Sequence, residues 1–273
     1  MTRRRKVDPR SCLRFFLGGR DLEMLEVRKL LERYAHDRFI DKGLTWGAKL
    51  SAYRKEIEAS ARAGEIPVAV ELTDDMPKDW FPRAHLIAID HHGELAAAGM
   101  PSALEQVFGQ LALPKKAWTR RLRLVAANDV AHVRGLRAAG ARAGEIVAIR
   151  QEDRRAQGVT EEDEREAIRA IAERRRDGRL LIVETRSATA SAVGDLMLPE
   201  LGGPGYEDLL VIMPAKLVFF GNGATVKALQ RKVPGSWSGG ALPERGYWGV
   251  DVAAEVSRRQ VIEYVQGIAR RRR

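Results

Sequence analysis

The sequence predicts an α/β protein: a doubly wound, mostly parallel sheet followed by a second, smaller α/β C-terminal domain. Two observations predict it. Short apolar, strand-like runs alternate with amphipathic helical stretches from residue 13 onward. Acidic residues recur just after those runs, at Asp21, Glu71 or Asp74, Asp90 and Asp129. Parallel strands joined by right-handed crossovers carry their C-terminal ends on one edge, and that edge is where open α/β sheets bind ligands.

The elements follow in order. Leu13 to Leu17 reads as a short buried strand, and Gly18-Gly19-Arg20-Asp21 turns into a helix with Leu22, Leu25, Val27, Leu30 and Leu31 on its apolar face. Gly18-Gly19 lacks a full dinucleotide fingerprint and reads as a tight turn. The polar, glycine-bracketed run Asp41 to Gly47 either lines the ligand edge or is a surface loop, the simpler reading. A second helix spans Gly47 to Ala63, centred on Leu50, Tyr53 and Ile57. Ile66 to Leu72 and Leu86 to Ile89 are strands. Ser102 is placed to cap a helix that continues through Gln106. Leu122 to Ala127 reads as an apolar strand leading to Asn128-Asp129, and Arg134 to Arg142 as a helix.

The charged stretch 151–178 reads as a helical connector between a first domain, 10–150, and a second, 179–267. Within it Thr160 is expected to cap a helix with Ile168, Ile171 and Ala172 on one face. The second domain is expected to hold strands at Leu180 to Glu184, Leu209 to Met213 and Leu217 to Phe220. Helices are expected near 188–198 and 225–232. A glycine-rich loop is expected from Gly235 to Gly249.

Composition narrows the class. The chain has 273 residues, 45% of them hydrophobic, enough for one large or two ordinary packed domains. Its single cysteine, Cys12, excludes an internal disulfide framework and a multi-cysteine zinc site. No apolar run approaches the roughly 18–20 residues of a membrane span, so a cytoplasmic protein without a membrane partner is expected. The formal charge is +10. Arg3, Arg4, Arg5 and Lys6 together with Arg270 to Arg273 supply eight of those charges, leaving a body of about +2. Such tails either hold phosphate backbones or stay solvated.

The chemistry concentrates at Ile89-Asp90-His91-His92-Gly93. An acid and two imidazoles follow an apolar strand, and two of the chain's five histidines are adjacent here. Imidazole with carboxylate suits Mn²⁺, Fe²⁺ or Zn²⁺. A nearby histidine, His132, is a spare ligand or a helix-packing residue.

Four segments, in order, resemble the DHH phosphoesterase family. The family's opening His-x-x-x-Asp-x-Asp is matched by Leu17-Gly18-Gly19-Arg20-Asp21-Leu22-Glu23, with Asp21 and Glu23 as the acid pair. Its second acid falls at Glu71, with Asp74 as rival. Its third motif is Asp90-His91-His92, and its fourth acid falls at Asp129. The match covers roughly residues 13–145. The loop Gly235-Ser236-Trp237-Ser238-Gly239-Gly240 is either a divergent form of the family's Gly-Gly-Gly-His substrate loop or a tight turn with two core tryptophans.

The resemblance implies a phosphoesterase with two Mn²⁺ or Mg²⁺ ions. It implies Asp21 on one ion, Glu23, His91 and Asp129 on the other, and Glu71 or Asp74 bridging. His92 would face the substrate phosphate, and Asp90 would orient a histidine or the bridging water. Trp237, Gly239, Gly240 and Arg245 would bind substrate, with Tyr247 and Trp248 as further stacking faces. The expected partner is a nucleotide, cyclic dinucleotide or short single-stranded nucleic acid, and the chain itself is a possible homodimer. The first-motif histidine is Leu17 here, so one ligand is missing. The alternative is a relative that binds nucleotide or nucleic acid without hydrolysing it.

Overall fold

Leu13–Leu17 (β1) pairs in parallel with Phe39–Asp41 (β2) on one side and Ile66–Val70 (β3) on the other, and β3 pairs in parallel with Ile87–Ile89 (β4). This is the sheet of the first unit in a computed structural model of the chain, which describes residues 12–91, 100–240, 242–252 and 258–271. The chain divides into two compact units, Met1–Ala141 and Arg142–Arg273. The first sheet has the order β2-β1-β3-β4. Its registers place Leu17 opposite Asp41 and Val70, and Val70 opposite Ile89. All four strands therefore end level on one edge. The chain winds outward from β1 to β2, then crosses back over β1 to β3, so the winding reverses between β1 and β3, the position where such sheets open a ligand crevice.

Phe15, Phe16, Leu17, Val68, Ala69 and Val70 are all buried, as expected of a parallel sheet covered on both faces. Helix Leu22–Tyr34 (α1) follows β1. Asp21 caps it, accepting from the Met24 amide at 2.7 Å, and Leu22, Met24, Val27, Leu30 and Leu31 are buried. A 3-10 turn at Leu50–Tyr53 leads into Arg54–Arg62 (α2). Tyr53 is fully buried, and its hydroxyl donates to the Leu17 carbonyl at 2.7 Å and accepts from the Lys42 amide at 2.9 Å. Ala103–Gln110 (α3) begins with a capping box between Ser102 and Glu105.

Two features of this unit depart from the sequence reading. The strand β2 was not anticipated, being three half-buried residues long. Leu122 to Ala127 is not a strand but part of helix Arg120–Ala138 (α4), capped by Thr119. Leu122, Leu124, Val125 and Ala126 are buried, a run too short for its period to separate strand from helix. The helix is interrupted at Ala131 and His132, where the backbone leaves helical angles.

The second unit holds Ala143–Ala156 (α5), Glu161–Ala172 (α6) and a six-stranded mixed sheet. Its strands are Arg175–Asp177 (β5), Leu180–Glu184 (β6), Asp208–Ile212 (β7), Lys216–Asn222 (β8), Trp237–Gly239 (β9) and Arg245–Asp251 (β10). Their order is β5-β6-β7-β8-β10-β9, with only β6 and β7 parallel. Ser191–Leu196 (α7), Gly223–Lys232 (α8) and Arg258–Arg271 (α9) complete the unit. Alternating strand residues fill two cores. Leu180, Ile182, Leu210, Phe219 and Trp248 pack with Val226, Leu229 and Val265. Leu181, Val183, Leu209, Val211 and Val218 pack with Ala167, Ala170, Val193 and Met197.

The charged segment expected as a connector lies within this unit. Arg150 and Arg154, both buried, grip Asp195 of α7 at 3.0 Å, and Arg150 also holds Asp153 at 2.7 Å. On α6 the buried positions are Ala167 and Ala170, whereas Ile168, expected on the inner face, is 60% exposed. The stretch expected as a glycine-rich loop contains β9 and β10. Small residues allow that pairing: a Cβ on Gly249 would lie 2.2 Å from the Trp237 ring, and one on Gly239 would lie 2.4 Å from the Tyr247 hydroxyl.

Candidate metal centre

Four side chains meet where β1, β3 and β4 end. Each is delivered by a distinct piece of local structure. Glu23 stands in the first turn of α1 and is fully buried. Its Oε1 accepts from the Leu104 amide at 3.0 Å, in the first turn of α3, where helical amides lack partners within the helix. Its Oε2 is also buried, meets no hydrogen bond among the described residues, and lies 3.7 Å from His91 Nε2.

Glu71 is the first residue beyond β3. Its amide continues the ladder by donating to the Ile89 carbonyl at 2.8 Å, yet its φ is +51°, a left-handed conformation uncommon for glutamate. The backbone of β1 crowds this corner. A Cβ on Gly18 would lie 2.2 Å from the Glu71 carbonyl oxygen, so only glycine fits there. Strained, non-glycine backbone held in place by its surroundings concentrates at functional sites.

His91, two residues beyond β4, is buried. Asp129 comes from α4, two residues before the helix breaks. The break lets the following segment fold closely: a Cβ on Gly135 would lie 1.9 Å from the Ala127 carbonyl oxygen. His91 Nε2 is 2.5 Å from Asp129 Oδ2 and 3.3 Å from Glu71 Oε1. One ligand atom from each of Glu23, Glu71, His91 and Asp129 lies within 4.8 Å of every other.

The electrostatics follow from that crowding. Burial, reinforced by the charges of Asp129 and Glu71, pushes the Glu23 carboxyl well above the ordinary carboxylate range. Burial acts to lower the His91 pKa, but its contacts with Asp129, Glu23 and Glu71 outweigh this and push it up to about 12. Three carboxylates around one point call for positive charge in their midst. An imidazolium supplies +1, and a divalent cation supplies +2 while accepting all four donor atoms. Oxygen donors with one imidazole fit a hard or borderline divalent ion, so these residues fit the implied metal.

The other sequence candidates lie elsewhere. Asp21 caps α1 and stands outside the four-residue cluster. Asp74 is exposed and forms a bidentate pair with Arg83, 2.8 and 3.0 Å, so Glu71 and not Asp74 reaches the cluster. The Asp90 carbonyl accepts from Gln106 at 3.2 Å, and Asp90 too is outside the cluster. His92 lies outside the described residues. Leu17, at the position of the family histidine, is fully buried in the core. His132 is exposed at the break in α4 and is outside the cluster.

Trp237, Gly239, Gly240 and Arg245 belong to the second unit. The Trp237 ring sits edge-on to Tyr247 with centroids 6.1 Å apart. The Arg245 guanidinium lies 5.3 Å from the centre of the Tyr206 ring and donates to the Glu207 carbonyl at 2.9 Å. Gly240 is exposed with φ +96°. Trp248 offers no stacking face, because its ring is enclosed in the core. Sequence reasoning missed the supports: the Leu104 amide that holds Glu23, and Tyr53, which ties the end of β1 to the chain after β2. The capping serine before α3 was the one legible sign of the first.

Among the described residues no helix is long and apolar enough to cross a membrane. No family model and no curated protein matches the sequence. Among solved structures, the chain is similar to RecJ from Thermus thermophilus, determined in complex with Mn²⁺. That similarity has a TM-score of 0.50 and 12% identity, over 95% of this chain and 52% of RecJ. The chain thus spans about half the length of RecJ. It also matches the pGpG-specific phosphodiesterase PggH from Vibrio cholerae, with a TM-score of 0.43 and 13% identity, over 93% of this chain and 98% of PggH. The two-unit α/β fold is shared with RecJ.

Proposed function

We propose that this protein is a metal-dependent phosphoesterase that hydrolyses nucleotides, cyclic dinucleotides or short oligonucleotides. One observation carries the reading: Glu23, Glu71, His91 and Asp129 bring their ligand atoms within 4.8 Å of one another at the level ends of a parallel sheet. These four residues would hold Mn²⁺ or Mg²⁺. A divalent ion bound there acidifies water and neutralises phosphate charge. The chain's own residues prepare the place. Glu71 is fixed by its ladder hydrogen bond and by the crowding at Gly18, and Glu23 is fixed by the Leu104 amide. Asp21, two residues before Glu23, is the candidate ligand for a second ion, and His92, adjacent to His91, the candidate for the substrate phosphate. Asp90 is the candidate for a supporting role, orienting a histidine or binding the bridging water. In the second unit Arg245, Gly239, Gly240 and Trp237 are the candidate substrate contacts. The Mn²⁺ in RecJ and the phosphodiesterase activity named for PggH belong to those proteins.

A second reading, a nucleotide-binding relative without hydrolysis, rests on Leu17 in the histidine position. The two separate in one assay. Metal-stripped protein is given a 5′-labelled diadenylate with and without Mn²⁺, beside His91→Ala. Mononucleotide release that requires Mn²⁺ and vanishes in His91→Ala is expected. Tight diadenylate binding without release by the wild type would favour the binder.

A further inference from the structure

Strand β4 ends at Ile89, and His91 stands two peptides further on. The first of these peptides is fixed by the sheet: the Ile89 carbonyl accepts from the Glu71 amide at 2.8 Å. The second joins Asp90 to His91. A peptide unit is planar, so the Asp90 carbonyl oxygen and His91 Cα turn as one body. That oxygen accepts from Gln106 Nε2 at 3.2 Å. The same nitrogen donates to the Pro101 carbonyl at 3.0 Å. One carboxamide thus ties the peptide leading into His91 to the residue just before the Ser102 cap of α3.

The chemistry of the contact calls for a primary amide. Both carbonyls only accept, so the group between them must bring two hydrogens, as the glutamine NH2 does. Helical side chains lean toward the N-terminus of their helix, which carries the carboxamide from the fourth residue of α3 back to Pro101. The turn beneath it is anchored. Ala103, Leu104 and Val107 are fully buried, Ser102 and Glu105 close the capping box, and Gln106 itself is half-buried. The same turn holds Glu23 through the Leu104 amide at 3.0 Å. Two cluster residues on different elements are therefore tied to one turn of α3, with His91 Nε2 3.7 Å from Glu23 Oε2.

We propose that Gln106 is a positioning residue for the metal centre, acting through the Asp90–His91 peptide to set His91 Nε2 against Glu23. Gln106 supplies no ligand atom. The inference deepens the reading of Glu23, Glu71, His91 and Asp129 as a metal site and rests on it.

The test is calorimetric Mn²⁺ titration of the full chain, with urea unfolding of each variant beside it. Gln106→Met keeps the length of the side chain and removes its donors. Gln106→Asn keeps the carboxamide but draws it back by one methylene, and carries the comparison if the apolar side chain unsettles the fold. Each is expected to bind Mn²⁺ about 10- to 100-fold more weakly than wild type, the range for residues that orient a ligand. Phe108→Leu is the control. It trims the same helix where Phe108 meets Trp118, 4.9 Å between ring centroids. It is expected to lower stability in urea and to keep Mn²⁺ affinity within about threefold of wild type. A loss of affinity in the Gln106 variant without a like loss in Phe108→Leu upholds the positioning role. A Gln106 variant within about threefold of wild type, or a loss that Phe108→Leu matches, overturns that role and leaves the metal site standing. A wild type that binds no Mn²⁺ overturns both.

Discussion

His91 Nε2 lies 2.5 Å from Asp129 Oδ2, which joins the end of a sheet strand to a helix at the point where that helix is about to break. If this contact marks shared ligation of one ion, either partner is indispensable for it. Asp129→Asn and His91→Ala are each expected to weaken Mn²⁺ binding by about 100-fold or more, since even residues that only support a ligand cost about 10- to 100-fold. Calorimetric Mn²⁺ titration checks this, with circular dichroism reporting whether the fold survives.

Proton and metal compete for the same imidazole. The carboxylates around His91 hold its pKa near 12, so the proton stays on at neutral pH and must leave for the nitrogen to coordinate. Mn²⁺ affinity is therefore expected to rise with pH, by at least about tenfold per unit across pH 6.5–8.5. At least one proton should be released per ion, from His91 and with a further contribution from the raised Glu23 carboxyl, read from titrations in buffers of different ionisation heat. A pH-independent affinity would contradict this account of His91.

Gly18 has no room for a side chain. Gly18→Ala would set a methyl 2.2 Å from the Glu71 carbonyl oxygen and 2.8 Å from that of Val70. Backbone cannot yield as a side chain does, so a loss of at least about 2 kcal/mol is expected in urea unfolding. Mn²⁺ affinity should fall with it as Glu71 is displaced.

Tyr53→Phe keeps the ring against Phe16, 5.5 Å between centroids, and removes one oxygen. The Leu17 carbonyl and the Lys42 amide then lose their partner, which costs about 1–3 kcal/mol. Urea unfolding measures it.

The second unit has its own buried charge network. Asp195→Ala would remove the counter-charge shared by Arg150 and Arg154, both about 95% buried, leaving each with one carboxylate, Asp153 and Glu164. A destabilisation of about 3–5 kcal/mol is expected.

Much of this was legible in the sequence because strand ends and acids coincide. Glu71 and His91 could be read as edge residues from the apolar runs that precede them. Glu23 and Asp129 were picked out by motif order, but Asp129 was assigned the wrong setting. Its preceding run Leu122 to Ala127 is buried enough to look like a strand, and the break at Ala131 and His132 separates it from the stretch from Arg134 onward that does read as helix. The choice between Glu71 and Asp74 depended on a long-range partner, Arg83, that no local pattern announces. The β9–β10 pair read as loop because its glycines make room for Trp237 and Tyr247, a packing role that looks in sequence like turn chemistry.

The most direct test is a crystal of the full chain soaked in Mn²⁺, with anomalous scattering recorded at the manganese edge. The account predicts a peak bounded by Glu23, Glu71, His91 and Asp129. Manganese bound elsewhere, or no peak at a saturating concentration, would contradict it.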